Sequence, residues 1–164
     1  MNQKESLTRK VIRLSVVTAL YVALTLVLSW ISYGEIQFRV AEILVLLCFF
    51  RKDYAIAMIL GCAIANAFSP LGPIDVVVGT LATAVAVVGV MFSKNLIVAG
   101  IFPVVSNALI VGLELSQIFE SPFLLNVLTV GLGELVVIII GVIAFQMLKK
   151  NENFLKLILA NQNV

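Results

Sequence analysis

Residues 122–148 read PFLLNVLTVGLGELVVIIIGVIAFQML, an apolar stretch whose only charged residue is Glu134. About 20 apolar residues are enough for a helix to cross the hydrocarbon core of a bilayer, so this stretch predicts a transmembrane helix. Five further apolar segments precede it, at about residues 11–32, 39–50, 53–68, 75–92 and 95–117. The sequence therefore predicts an all-α integral membrane protein with six transmembrane helices.

The composition agrees with this fold class. Of the 164 residues, 62% are hydrophobic and only 12% are charged, and the mean hydropathy is +1.14. A soluble domain has about 25% charged residues and has no means of hiding this much apolar surface from water. We expect one six-helix transmembrane domain over residues 1–150, followed by a short cytoplasmic tail over residues 151–164.

The basic residues predict the orientation of the chain. If the N-terminus lies inside, all but one of the 11 lysines and arginines fall in inner segments, and only Arg39 falls outside. This bias follows the positive-inside rule and places both termini in the cytoplasm of a prokaryotic cell. Segment 39–50 is the weak point of the six-helix prediction, because a dozen residues barely cross a bilayer.

The residues that are missing exclude several kinds of function. The chain has no histidine, which removes Ser-His and Cys-His nucleophile pairs and most zinc sites. Cys48 and Cys62 lie in apolar runs and are expected to be buried packing residues. There is no phosphate-binding Gly-x-x-x-x-Gly-Lys-Ser/Thr loop and no basic stripe for nucleic acid. We expect neither a cofactor nor a metal. If the protein moves a solute actively, either an ion gradient or ATP hydrolysis by another polypeptide must drive it.

Polar side chains within the apolar segments point to a binding site. An ionisable group in hydrocarbon costs several kcal/mol, so each one needs a partner or a function. In the six-helix prediction the candidates gather in the outer half of the membrane: Gln37, Arg39, Glu42, Asn66, Asp75, Asn107, Glu114 and Glu134. They describe a pocket rich in carboxylates and amides and poor in cations, which suits a solute with amine, amidine or ring N–H donors.

Some of these residues have purely structural alternatives. Asp75 could be a helix N-terminal acid, Glu42 could pair with Arg39 at i, i+3, and Asn66 could cap a helix or bind its neighbour. Asn107 and Glu114 are harder to explain in this way, because they lie seven residues apart on one helix face. Glu134 is the hardest, because it lies near mid-membrane with no basic residue predicted in any span.

Small residues on the first helix form a second pattern. Ser15, Ala19 and Ala23 are spaced by four residues, which gives a flat stripe that another helix can approach closely. The stripe could pack inside the bundle, or it could dock a separate membrane subunit.

Five segments of the sequence resemble the QueT family, the queuosine-precursor substrate-binding (S) components of energy-coupling factor (ECF) transporters. They are residues 34–42 (GEIQFRVAE), 64–75 (IANAFSPLGPID), 79–83 (GTLAT), 107–115 (NALIVGLEL) and 131–134 (GLGE). Any one of them alone would be weak, but together they are specific. Because they are spread from helix 1 to helix 6, the resemblance extends over most of the chain.

The resemblance implies a substrate and partners. The substrate would be a 7-deazaguanine such as 7-aminomethyl- or 7-cyano-7-deazaguanine, bound at an outward-facing site under the loop between helices 1 and 2. The partners would be a transmembrane coupling protein, docked on Ala19 and Ala23, and two cytoplasmic ATPases. The loaded subunit would topple in the membrane to deliver its solute.

Three alternatives remain open at this stage. The chain could be an S component for another vitamin or nucleobase. It could be a multipass membrane enzyme that uses Glu134 and Glu114 as an acid–base pair. It could also be a structural membrane protein without a ligand.

Overall fold

A computed structural model describes residues 5–33 and 37–159, and within these ranges the regular structure is entirely helical. A short 3-10 helix, η1, lies between the second and third α-helices. The elements are α1 (Leu7–Val27), α2 (Ser29–Ser32), η1 (Val40–Leu46), α3 (Leu47–Phe50), α4 (Tyr54–Asn66), α5 (Pro73–Phe92), α6 (Leu96–Ile118), α7 (Phe123–Leu148) and α8 (Glu152–Leu159).

Four of these helices, α1, α5, α6 and α7, are long and apolar enough to cross a membrane. Two shorter apolar segments, Val40–Phe50 and Tyr54–Asn66, accompany them. The outer surfaces of the long helices carry large exposed apolar side chains, such as Leu132 and Ile140 of α7, as expected for helices that contact lipid. The sequence therefore predicted the all-helical class and the long helices correctly.

The structure corrects two of the predicted helices. The first does not run unbroken over residues 11–32, because α1 ends at Val27 and the single turn α2 follows. Segment 39–50 is not an α-helix over its length, because Val40–Leu46 is a 3-10 helix and only Leu47–Phe50 is α-helical. A 3-10 helix rises about 2 Å per residue against 1.5 Å for an α-helix. The 3-10 winding therefore makes η1 longer along its axis than an α-helix with the same number of residues.

The five longer helices form an open ring that η1 closes. Each of α1, α4, α5, α6 and α7 packs on the next, and η1 packs on both α7 and α1 to complete the circuit. Ala41, Val45 and Leu46 of η1 are fully buried. The short segment is therefore enclosed by the longer helices, which shield its backbone from lipid.

The two ends of the bundle differ in packing. One end, here called the tail end, carries the start of α1, the α3–α4 turn and α8. It holds the larger apolar core, in which Tyr54, Phe145 and Ile158 are buried. The opposite end, here called the cleft end, carries the loop of residues 67–72 and the α6–α7 turn. Its core is the small cluster of Ala82, Val111, Leu115 and Val130.

Ionic contacts tie the tail end together. Arg13 of α1 donates to Asp53 at 2.7 Å and to Glu5 at 3.0 Å. Arg51 also donates to both acids, and its Nη1 binds the carbonyl oxygen of Leu159 at 2.7 Å. Asp53 precedes α4 but makes no capping hydrogen bond, because its carboxylate is engaged by the arginines.

The helix α8 lies within the segment expected to be a cytoplasmic tail. Its Ile158 is buried, and the carbonyl of that residue accepts a hydrogen bond from the Tyr54 hydroxyl at 2.9 Å. Phe154 packs beside Phe145 of α7, with ring centroids 5.9 Å apart. Residues 152–159 are therefore docked on the bundle.

Candidate functional site

A buried ion pair lies at the cleft end. Arg39 immediately precedes η1, and its Nη2 lies 3.5 Å from Oδ1 of Asp75 in the first turn of α5. Both side chains are almost completely buried. The alternative that Glu42 pairs with Arg39 at i, i+3 is not the contact seen. Arg39 pairs instead with Asp75, which lies on α5.

Glu42 lies in the first turn of η1 and is completely buried. Its Oε1 accepts a short hydrogen bond from the Tyr21 hydroxyl of α1, whereas Oε2 has no hydrogen-bond partner among the described residues. Tyr21 is therefore a site-shaping residue that the sequence did not reveal. Its only signal was a hydroxyl group on a helix face that also carries Thr18 and Thr25.

Asn107 of α6 and Glu134 of α7 lie at the same depth. Each is 11 residues from the cleft end of its helix, which is about 16 Å at 1.5 Å per residue. The Asn107 amide lies next to the Glu134 carboxylate. Within the described ranges, however, neither polar atom of Asn107 completes a hydrogen bond, nor does Oε1 of Glu134.

Glu114 lies nearer the mouth, four residues before the end of α6. It is only 5% exposed, and neither carboxylate oxygen has a hydrogen-bond partner in the part of the chain that the structure describes. Its charged neighbours are Asp75 and Arg39, whereas those of Glu134 are Glu42 and Arg39. Arg39 is therefore the cation that both glutamates share.

This arrangement corrects one sequence-based expectation. We expected Arg39 to lie in an outer loop and no basic residue to lie near Glu134. Arg39 is instead only 3% exposed and lies within the group of acids. The three nitrogens of its guanidinium make no hydrogen bond to the described residues, so the group retains donor capacity.

Asn66 has a structural task in this fold. Its Nδ2 donates to the backbone carbonyl of Asp75 at 3.0 Å and also contacts Sγ of Cys62. A Cβ on Gly79 would lie 2.2 Å from that Nδ2, so the glycine makes room for the amide. The expectation that Asn66 binds a neighbouring helix is thus met, because it holds the start of α5 against α4.

A cleft opens at this end of the bundle. It has a volume of about 440 Å³, and Gln37 and Asp75 contribute to its wall. The other lining residues are Tyr33, Ser69, Pro70, Leu71, Leu115, Phe119, Ser121, Leu125, Asn126 and Thr129. The mixture of one acid, several amides and hydroxyls and two aromatic rings suits a small, flat, polar solute.

The segment that leads into η1 is held closely against α7. The backbone of Gln37 lies over Gly133, where an added Cβ would stand only 2.4 Å from the Gln37 carbonyl oxygen. Gly133 precedes Glu134, so the same close approach brings residues 37–39 beside the deep carboxylate. Residues 34–36, which complete the first of the family-like segments, lie outside the described residues.

An apolar groove runs along α1 and α4, away from the cleft. Ser15, Ala19 and Ala23 are exposed and line it, opposite Ile56 and Leu60 of α4. The groove has a volume of about 630 Å³. The stripe of small residues therefore faces out of the bundle and is not used to pack α1 against its neighbours.

Comparison with known proteins identifies the family. The family model described as "QueT transporter" matches residues 11–150. The chain belongs to the QueT transporter family. A QueT relative from Lactococcus lactis subsp. cremoris, named "Queuosine precursor transporter QueT", is 39% identical over 164 aligned residues, which cover 90% of this chain and 96% of the relative. No solved structure gives a significant match.

Membership of the QueT family, together with the apolar helices, settles the general role of the chain. It is a multi-pass protein of the cell membrane and a transporter rather than an enzyme. The matched region of the QueT model ends at Lys150, so α8 lies beyond it.

Proposed function

We propose that this QueT protein binds a queuosine precursor, a 7-deazaguanine such as 7-aminomethyl- or 7-cyano-7-deazaguanine, between Arg39, Asn107, Glu114 and Glu134. The observation that carries the proposal is that Asn107, Glu114, Glu134 and Arg39, which is the charged neighbour of both glutamates, all keep buried polar atoms without a hydrogen-bond partner among the described residues. Leaving a buried polar group unsatisfied costs about 1–3 kcal/mol, and more if it is charged. A nitrogen-rich solute removes that cost when it binds.

The donor and acceptor pattern supports a guanine-like edge. Such an edge presents a carbonyl acceptor next to a ring N–H and an exocyclic amine. The Asn107 amide can donate to the carbonyl, while the adjacent Glu134 carboxylate accepts from the two nitrogens. Arg39 can add a second donor to the carbonyl. The Tyr33 and Phe119 rings line the mouth of the cleft, where a flat base would pass on its way to these side chains.

We further propose that the protein is the S component of an ECF importer. It would act with a transmembrane coupling protein and two cytoplasmic ATPases. The coupling protein would bind in the groove that Ala19 and Ala23 line on the outer surface of the bundle. In this proposal the single domain of residues 1–150 crosses the membrane six times, counting η1–α3 and α4 as spans, and both termini are cytoplasmic. The positive-inside bias and the family resemblance support this topology.

A ligand-identification experiment tests the substrate. The protein is purified in mild detergent, and compounds that co-purify with it are identified by mass spectrometry. Binding of 7-deazaguanines, guanine, riboflavin and thiamine is then measured by calorimetry. We expect tight binding of at least one 7-deazaguanine and a loss of about tenfold or more in Glu134→Gln. The matched control is Glu120→Gln, an exposed acid at the same end of the bundle.

Two outcomes would count against the proposal. Tight binding of riboflavin or thiamine without binding of deazaguanines would make the protein an S component for another solute. Unchanged affinity in Glu134→Gln would remove the deep carboxylate from the site.

A further inference from the structure

The charges around the cleft do not balance. Among the described residues, the site holds four carboxyl groups, on Glu42, Asp75, Glu114 and Glu134, and one guanidinium, on Arg39, all at most 5% exposed. If these five groups are all ionised, their net charge is −3. One protein cation thus faces four acids in a region where charge is poorly solvated.

Two of the acids have partners within the chain. Asp75 lies 3.5 Å from the Arg39 guanidinium, and Glu42 accepts a hydrogen bond from the Tyr21 hydroxyl. The deep acid, Glu134, lies beside the Asn107 amide and forms with it an acceptor–donor pair suited to the edge of a base. Asn107 is itself 98% buried without a hydrogen-bond partner among the described residues, which points to a ligand and not to packing alone.

Glu114, the fourth acid, has no such partner among the described residues. Both of its oxygens lack a hydrogen-bond partner in the described ranges, and one of its charged neighbours, Asp75, is another acid. It lies in the last turns of α6, where the helix dipole is negative and favours a cation. Glu114 does not line the cleft itself, but its neighbours Leu115 and Asp75 do, so the carboxylate lies next to the cleft wall.

The two glutamates are separated along the bundle axis. Glu134 is level with Asn107, and Asn107 is seven residues, or about 10 Å, below Glu114 on α6. A bicyclic base that presents one edge to Glu134 can therefore direct a substituent on its opposite side toward Glu114.

We propose that Glu114 binds a cationic group of the ligand, so that this protein selects a 7-deazaguanine with a protonated aminomethyl group over one with a neutral substituent. The inference rests on the proposed function, since it assumes that a 7-deazaguanine enters the cleft. A charge-assisted contact of an ammonium group with Glu114 adds affinity that a nitrile, which has no N–H and no charge, does not provide. The preference is set by the substituent alone, because both compounds share the same guanine-like edge.

The experiment compares ligands on the wild-type protein and on one variant. Affinities for 7-aminomethyl-, 7-cyano- and 7-methyl-7-deazaguanine are measured by calorimetry in detergent. We expect the aminomethyl compound to bind about 10- to 100-fold more tightly than either neutral compound. In Glu114→Gln that preference should shrink to a few-fold, because the aminomethyl compound loses more affinity than either neutral compound does. Glu120→Gln should leave all three affinities unchanged.

The outcomes separate the two proposals. Equal affinity of the charged and neutral compounds for the wild-type protein would overturn the role of Glu114, although the proposed function would stand. A preference that survives in Glu114→Gln would also overturn that role. Failure of all three compounds to bind would overturn the proposed function itself. The wild-type comparison needs no variant, so it decides the question even if Glu114→Gln does not fold.

Discussion

Arg39 Nη2 lies 3.5 Å from Asp75 Oδ1, and each side chain is only 3% exposed. This contact joins the residue that precedes η1 to the first turn of α5, two segments that are distant in sequence. Because the guanidinium makes no hydrogen bond to the described residues, the pair is a charge contact with unused donors. Such a pair can hold the cleft end together and still accept a ligand.

Removing one partner of this pair should destabilise the protein. Arg39→Met leaves the Asp75 carboxylate as an uncompensated buried charge and also removes the cation near Glu114 and Glu134. Breaking a buried pair in this way costs about 3–5 kcal/mol. Asp75→Leu should cost less, because those two glutamates remain near the guanidinium. We therefore expect both single variants to lower the melting temperature in detergent, Arg39→Met more than Asp75→Leu, and the double variant to recover only part of the Arg39→Met loss.

The same variants separate stability from binding. The double variant should not regain ligand affinity, because it lacks the Arg39 donors. Single variants that melt at the wild-type temperature would show that the contact is not a stabilising one.

The close approach of residues 37–39 to α7 leads to a second prediction. Gly133→Ala places a Cβ 2.4 Å from the Gln37 carbonyl oxygen, so the backbone must move away from α7. Overpacking of this kind costs about 1–3 kcal/mol. We expect ligand affinity to fall about tenfold, because the shift displaces Arg39 from Glu134.

Gly131→Ala is the matched control for Gly133→Ala. Its Cβ would lie 3.3 Å from Cβ of Ala108, a contact that a shift of a few tenths of an ångström relieves. If the two alanine variants bound ligand equally well, the approach of Gln37 would have no part in shaping the site.

The long helices could be predicted from the sequence because hydropathy alone determines them. Residues 122–148 were assigned to one helix, and α7 covers Phe123–Leu148. The prediction for segment 39–50 was wrong in its helix type, because an apolar run carries no signal that separates 3-10 from α winding. That choice depends on the surrounding ring of helices, which encloses Ala41 and Val45.

The buried acids and amides could be singled out from the sequence, but their contacts could not. The cost of burying acids in lipid was enough to single out Glu114 and Glu134. The partner of Arg39 was not predictable, because Glu42 was closer in sequence while Asp75 is closer in space. The hydrogen bond from Tyr21 likewise depends on how α1 packs against η1, which a single sequence does not specify.

The acids at the tail end should make stability depend on pH. The Arg13 hydrogen bond, with the charges of Arg13 and Arg51, holds the pKa of Glu5 below its usual 4.5. Burial acts to raise the pKa of Asp53, but the two arginines outweigh it and hold that pKa below 3.8. Because both values are lowered in the folded state, the stabilisation is present above the ordinary values and is lost as pH falls through the lowered ones.

The test is a melting curve measured at several pH values. Asp53→Asn should melt well below the wild type at pH 7, and the difference should close as the pH falls below about 4. Glu152→Gln is the control, because that exposed acid pairs only with the exposed Lys156. A difference between wild type and Asp53→Asn that persisted at the lowest pH would assign the effect of Asp53 to packing and not to its charge.

The groove over α1 leads to the last prediction, which concerns assembly. Ala19 is exposed and lines the groove, whereas Leu20 is exposed on a part of α1 that does not line it. Tight packing of a partner helix needs small residues, so Ala19→Trp should block docking of the proposed coupling protein. We expect this variant to lose co-purification with the coupling protein and to lose uptake in cells, while the isolated chain binds ligand as the wild type does. Leu20→Trp adds the same bulk to a neighbouring position and should keep both activities, so equal behaviour of the two tryptophan variants would mean that the groove is not the docking surface.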